Sequence, residues 1–149
     1  MMKALSLTQP WATLVAIGAK RIETRKWCIA HRGPIAIHAT KSFPDDCRAL
    51  CWQEPFHDAL VAGGFARPSD LPLGAILAVC NLYDCLKTEE MLKRGVGFPE
   101  RLFGDYGPKR YAFLLKDIVR LPVPIAVRGG LGPWDVPDEV AAMLNAEGP

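Results

Sequence analysis

An abrupt change of residue period at Gly18 constrains this chain more than any other feature. Upstream of it, Trp11, Leu14, Val15 and Gly18 fall at helical spacing, which makes one helix face apolar. Thr8 is placed to cap that helix. Pro10 lies in the first turn, where a missing N–H costs nothing, and Gly18 is a natural stop. Downstream, Arg21-Ile22-Glu23-Thr24-Arg25-Lys26-Trp27 alternates with period two. In an extended strand Arg21, Glu23, Arg25 and Trp27 share one face, while Ile22, Thr24 and Lys26 share the other. Helix and strand therefore follow one another within a few residues.

The rest of the chain repeats this mixture. Met2 to Leu7 reads as a strand, and Pro34 to Ala39 as another, with Ile35 and Ile37 on one face and Ala36 and His38 on the other. Ser42 is placed to cap a helix with Asp45 and Asp46 in its first turn; the helix is expected to break near Pro55 and to end at Gly63-Gly64. Ala75 to Leu86 is the longest apolar strand, followed by a short helix from Thr88 to Gly95. Residues 95–109 read as an irregular loop. Tyr111 to Val127 is extended, and Pro122 and Pro124 suit an edge or a bulge. Gly129 to Trp134 reads as a second irregular loop, and Pro137 to Asn145 as a terminal helix. Glycine and proline, 13 of each in 149 residues, favour short elements over a long-helix bundle. About five strands with so few helices between them do not make a regular βαβ series. The expected class is α+β, mainly β: a small barrel with decorating helices. A chain of this length suits one domain over 1–149, with a barrel core of about 2–136, a helical insertion at 43–64 and a C-terminal helix at 137–146.

Net charge is +2, from 18 basic and 16 acidic residues. No strong basic field surrounds such a protein, so long-duplex DNA is not an expected partner, although a local basic cleft is compatible with it. No apolar run approaches the roughly 18 residues of a membrane span, and Lys20-Arg21 follow the apolar start at once, so a cytoplasmic protein is expected. Oligomeric state is not legible. The five cysteines, Cys28, Cys47, Cys51, Cys80 and Cys85, contain no CxxC pair and suit free thiols. Cys47 and Cys51 would share a helix face, whereas the odd separation of Cys80 and Cys85 predicts opposite strand faces. Neither a metal nor a cofactor is expected.

The densest functional cluster is Gly18-Ala19-Lys20-Arg21-Ile22-Glu23-Thr24-Arg25. Glu23 and Arg25 project from one strand face, within reach of each other, and Lys20 can approach them from the turn. Arginine gives a rigid fork, lysine a mobile charge and glutamate an acceptor, which together suit an anionic or hydrogen-bonding ligand. The same pattern also describes a solvated strand with weak surface ion pairs. Trp11 and Trp134 are candidate base-stacking platforms or core residues. Trp27 is open between the two, and Trp52 is expected to pack. His38, Lys41 and Arg128 are candidate base or phosphate contacts, each with an ordinary structural or surface role as the alternative.

The spacing Gly18-x-Lys20-x-x-Glu23-x-Arg25 resembles the signature of the ASCH domain, the activating-signal-cointegrator homology family. Ser6-Leu7-Thr8-Gln9-Pro10-Trp11-Ala12 resembles the family's opening, and Arg32-Gly33-Pro34-Ile35-Ala36-Ile37-His38-Ala39 its second strand. Arg110-Tyr111-Ala112-Phe113 and Gly129-Gly130-Leu131-Gly132-Pro133-Trp134 resemble its C-terminal part. The resemblance implies a PUA-like β-barrel with a cleft between barrel and helices. It further implies binding of single-stranded RNA, a nucleoside or a nucleotide. Ligand contacts would then come from Lys20, Glu23, Arg25, Trp11, His38, Lys41, Arg128 and Trp134. Some relatives look like small hydrolases, acting on an acylated cytidine nucleoside or cleaving RNA, so a small metal-free hydrolase is the second implied role. If this chain were one, Lys20, Glu23 and Thr24 would be its catalytic residues. It departs from the amidohydrolase pattern, however: Glu23 stands at the threonine position, and neither Asn81 nor Asp84 supplies the expected glutamate. A protein-interaction domain in transcription or translation regulation is the third implied role.

Overall fold

Alternation in the central strands dictates that the sheet is covered on both faces. A computed structural model describes residues 1–147. In the strand Gly33–Ala39 (β3), Ile35 and Ile37 enter one core together with Leu5 and Leu7 of Lys3–Leu7 (β1). Ala36 faces the other way, into a second core with Ala4, Ile76 and Leu121. The helix Trp11–Ala16 (α1) packs its Ala12 and Val15 into the first core. The C-terminal helix Asp138–Glu147 closes the second with Val140 and Leu144. Burying a Leu or Ile side chain contributes about 1.5–3 kcal/mol, so each of these cores adds substantially to the drive for folding.

Six strands form one mixed sheet that curls into a half-barrel. The others are Ile22–Arg25 (β2), Ala75–Lys87 (β4), Tyr111–Ala126 (β5) and Pro133–Asp135 (β6), in the order β2-β5-β4-β3-β1-β6. β1 and β3 run parallel, with Ser6 opposite His38, and the remaining pairs are antiparallel. β2 covers β5 only from Tyr111 to Leu114, so Pro122 and Pro124 fall where β5 has no second neighbour and needs no further N–H donor. Four short helices lie outside the sheet between β3 and β5: Asp45–Leu50 (α2), Phe56–Ala62 (α3), Thr88–Arg94 (α4) and Glu100–Phe103 (α5). Among the described residues, no helix is long and apolar enough to cross a membrane.

Several local expectations need correction. Neither Thr8 nor Ser42 caps a helix. Gln9 takes over at α1: its side-chain oxygen accepts the Thr13 N–H at 2.9 Å, and its amide donates to Thr13 Oγ1 and to the Pro72 carbonyl. The loop over 95–109 contains the helical turn α5, and the glycine-rich loop before Trp134 ends in β6, which pairs with β1. Trp52 is 58% exposed, tilted against His57 rather than packed in a core. Cys80 and Cys85 touch the same core, because a bulge between Leu82 and Asp84 inserts Tyr83 and resets the alternation. The reset brings Cys85 Sγ to 3.8 Å from Cys28 Sγ, while burial pushes the Cys80 thiol up to about 12.

Candidate functional site

The end of α1 decides where Lys20 goes. Gly18 adopts φ +79°, a conformation that side chains resist. The N–H groups of Ala19 and Lys20 both return to the Leu14 carbonyl at 3.0 Å. The chain thereby reverses and sends the Lys20 side chain inward, where it is fully buried. Its ammonium donates to the carbonyls of Ile22 and, at 3.4 Å, Phe103, and lies 3.6 Å from Glu23 Oε1. Glu23 is buried too, and its other oxygen accepts Arg25 Nε at 2.8 Å. Arg25 Nη2 then donates to the Ser6 carbonyl at 2.7 Å. A buried charge needs partners of this kind, since an unpaired one carries a desolvation cost of several kcal/mol.

Glu23, Thr24 and Arg25 line a cavity of about 550 Å³ between the β2 edge and the helices, with Trp11 and Phe56 forming an aromatic wall. The Trp11 indole N–H donates to the Phe103 carbonyl at 2.7 Å, and its ring meets Phe56 edge-on. Thr24 Oγ1 accepts the Asp105 N–H at 3.1 Å. Lys20 does not line this cavity; it stands behind Glu23. The period-two reading therefore places Glu23 and Arg25 together as expected, but Thr24, assigned to the opposite face, borders the same cavity. The surface strand it also allowed is not what forms.

His38, Lys41 and Arg128 border a different cavity, of about 900 Å³. Ser6 lines both cavities and divides them. His38 Nε2 lies 2.8 Å from the Val127 carbonyl, which can only accept, so this nitrogen carries the proton. Nδ1 is then the acceptor for the Ser6 hydroxyl at 3.0 Å, and Trp134 Nε1 donates to that same hydroxyl oxygen at 2.9 Å. Burial lowers the His38 pKa, with the Val127 carbonyl acting in the opposite sense. A Cβ on Gly129 would stand 2.5 Å from His38 Cε1 and 2.7 Å from Ser6 Oγ, so only glycine lets the loop close over this network. Trp134 itself meets His38 edge-on and borders neither cavity. Trp27 is half-buried against Phe113.

Four further residues matter that the pattern of the chain left unmarked. Ser6 lies in the opening motif, and Arg110 in the segment before β5. Arg110 donates to the Thr24 and Asp105 carbonyls at 3.1 and 3.0 Å and lines the first cavity. Glu100 accepts the Arg21 N–H; burial raises its pKa, and that backbone contact opposes the rise. Among the described residues, Glu100 Oε2 and the Tyr106 hydroxyl are buried without hydrogen-bond partners. Tyr106 titrates well above the ordinary tyrosine range, through burial and the nearby Glu100 charge.

A six-stranded half-barrel with helices walling a cavity against its edge defines a PUA-like domain. Residues 5–118 match the ASCH domain, and the chain belongs to that family. It is 28% identical over 137 residues to Activating signal cointegrator 1 of Mus musculus and, equally, of Homo sapiens. That match covers 91% of this chain but 22% of the length of the mouse and human proteins. The fold is similar to the crystal structure of ASCH from Zymomonas mobilis, with a TM-score of 0.60 at 16% identity over 97% of this chain and 94% of that one. A single-substitution variant of the Zymomonas protein aligns with the same TM-score and covers 96% of its chain.

Proposed function

We propose that this chain is an RNA-binding module whose Arg25 cavity takes one unpaired nucleotide of a single strand. The observation that carries this reading is the Arg25 guanidinium. It is partly exposed at the cavity wall, aimed by Glu23 and the Ser6 carbonyl, 6.0 Å from the Trp27 ring, and it shares the cavity lining with Trp11 and Phe56. The protein holds the guanidinium at Nε and Nη2, which leaves Nη1 to meet a phosphate or base edge beside a base face. Lys20 and Glu23 are positioning residues here. Both Glu23 oxygens are engaged by cations, and the Lys20 ammonium is spent on Glu23 and two carbonyls. That arrangement favours holding a ligand over general-base hydrolysis, which would need a free carboxylate and an ammonium facing the reacting group.

Titration of short mixed-sequence RNA by fluorescence anisotropy tests the reading. Arg25→Ala is expected to weaken binding about tenfold or more, as loss of a charge-assisted contact does. The slope of log affinity against log salt should become shallower by about 0.7, the value for one phosphate on a single strand. Arg25→Lys, which keeps the charge and loses the fork, should recover the salt slope but only part of the affinity. Unchanged affinity and slope in a folded Arg25→Ala protein would sink the proposal.

A further inference from the structure

We propose that the cavity beyond Ser6 is a second subsite, which takes the neighbouring nucleotide of the same strand. The smallest complete ligand is then a dinucleotide joined by a phosphodiester. This inference rests on the Arg25 cavity being a nucleotide site and adds a minimum length to the ligand.

Three observations carry it. The two cavities meet at a single residue: Ser6 presents its carbonyl to Arg25 on one side and its hydroxyl to His38 on the other. A chain lying across Ser6 passes from one cavity into the other without leaving the surface. The charge is also unevenly divided. The first cavity is lined by Glu23 and Asp105 as well as by Arg25 and Arg110, whereas the second is bordered by Lys41 and Arg128 and by no carboxylate. Among the described residues, neither Lys41 nor Arg128 has an ion-pair partner. Two unbalanced cations beside an apolar lining that includes Leu73 and Val127 match a ligand with an anionic link and a flat apolar body. The wall, finally, is built rather than incidental. The Ser6, His38 and Trp134 contacts, with Gly129 closed tightly over them, hold the Arg128 loop in place before any ligand arrives. A neutral, fully paired network adds no negative charge that would repel a phosphate.

Isothermal titration with mixed mononucleotide 5′-phosphates and mixed 5′-phosphorylated RNA dinucleotides tests this. The wild-type protein is expected to bind the dinucleotides about tenfold more tightly than the mononucleotides, as added phosphate contacts do. The double variant Lys41→Ala/Arg128→Ala, altered at two exposed side chains, should lose that gain and keep its mononucleotide affinity within about twofold. Arg25→Ala should weaken both ligands. Equal wild-type affinity for the two ligands, or a double variant that keeps the gain, overturns the second subsite and leaves the Arg25 reading standing. Mononucleotide binding that falls in the double variant but not in Arg25→Ala overturns the assignment of the first cavity. Absence of binding to both ligands by the folded wild-type protein overturns the two together.

Discussion

Two partly buried polar networks flank Ser6, and they are held by different physics. On one side Lys20, Glu23 and Arg25 form a chain of alternating charge anchored to three backbone carbonyls. On the other, Ser6, His38 and Trp134 form a neutral chain that ends on the Val127 carbonyl. The charged network holds each member through its neighbours, so removing one leaves a charge uncompensated. The neutral network risks only unpaired dipoles, which cost less. The charged side thus fixes the orientation of one cation at a cavity wall, and the neutral side fixes a loop.

Substitutions that remove a member from each side separate the two cases. Lys20→Ala should be the most damaging, at about 3–5 kcal/mol, because it strips a partner from buried Glu23 and a donor from two carbonyls. Chemical unfolding measures it directly. A loss no larger than that of a neutral-network variant would break the contrast. Ser6→Ala should cost about 1–3 kcal/mol, since it removes two partly buried hydrogen bonds, those to His38 Nδ1 and from the Trp134 indole N–H. Its Arg25 contact uses the main-chain carbonyl, so affinity for a mononucleotide should persist. The smallest effect is that of pH. The fold lowers the His38 pKa below its ordinary 6.5, so the unfolded chain binds more protons there and the folded state is stabilised above that range. Stability should therefore fall as pH drops through about 6.5 and below, and His38→Gln should flatten that slope. An identical slope in the variant would assign it elsewhere.

The legible part of this molecule is the part governed by local periodicity. Alternation over residues 21–27 correctly pairs Glu23 with Arg25, and Gly18 ends α1 where its spacing requires. Depth is not written in alternation. Lys20 is buried because the chain after Gly18 turns inward under the Phe103 segment, which lies 83 residues away. The split of one cleft into two is likewise a tertiary result, since the parallel pairing of β1 and β3 sets Ser6 opposite His38 while Arg25 reaches its carbonyl from β2. β6 escapes notice because three residues among glycines and prolines carry no period, and its partner β1 supplies the order. The bulge at Tyr83 changes face without changing composition, so parity alone misplaces Cys85.

The Phe103 carbonyl has a consequence for how a ligand would enter. It accepts the Trp11 indole N–H at 2.7 Å and the Lys20 ammonium at 3.4 Å, so one oxygen ties the loop wall of the first cavity to both α1 and the turn before β2. Such a wall has little freedom left to lose when something docks against it. A ligand docking there would meet a wall already in order, so the ordering cost in the chain itself would be small.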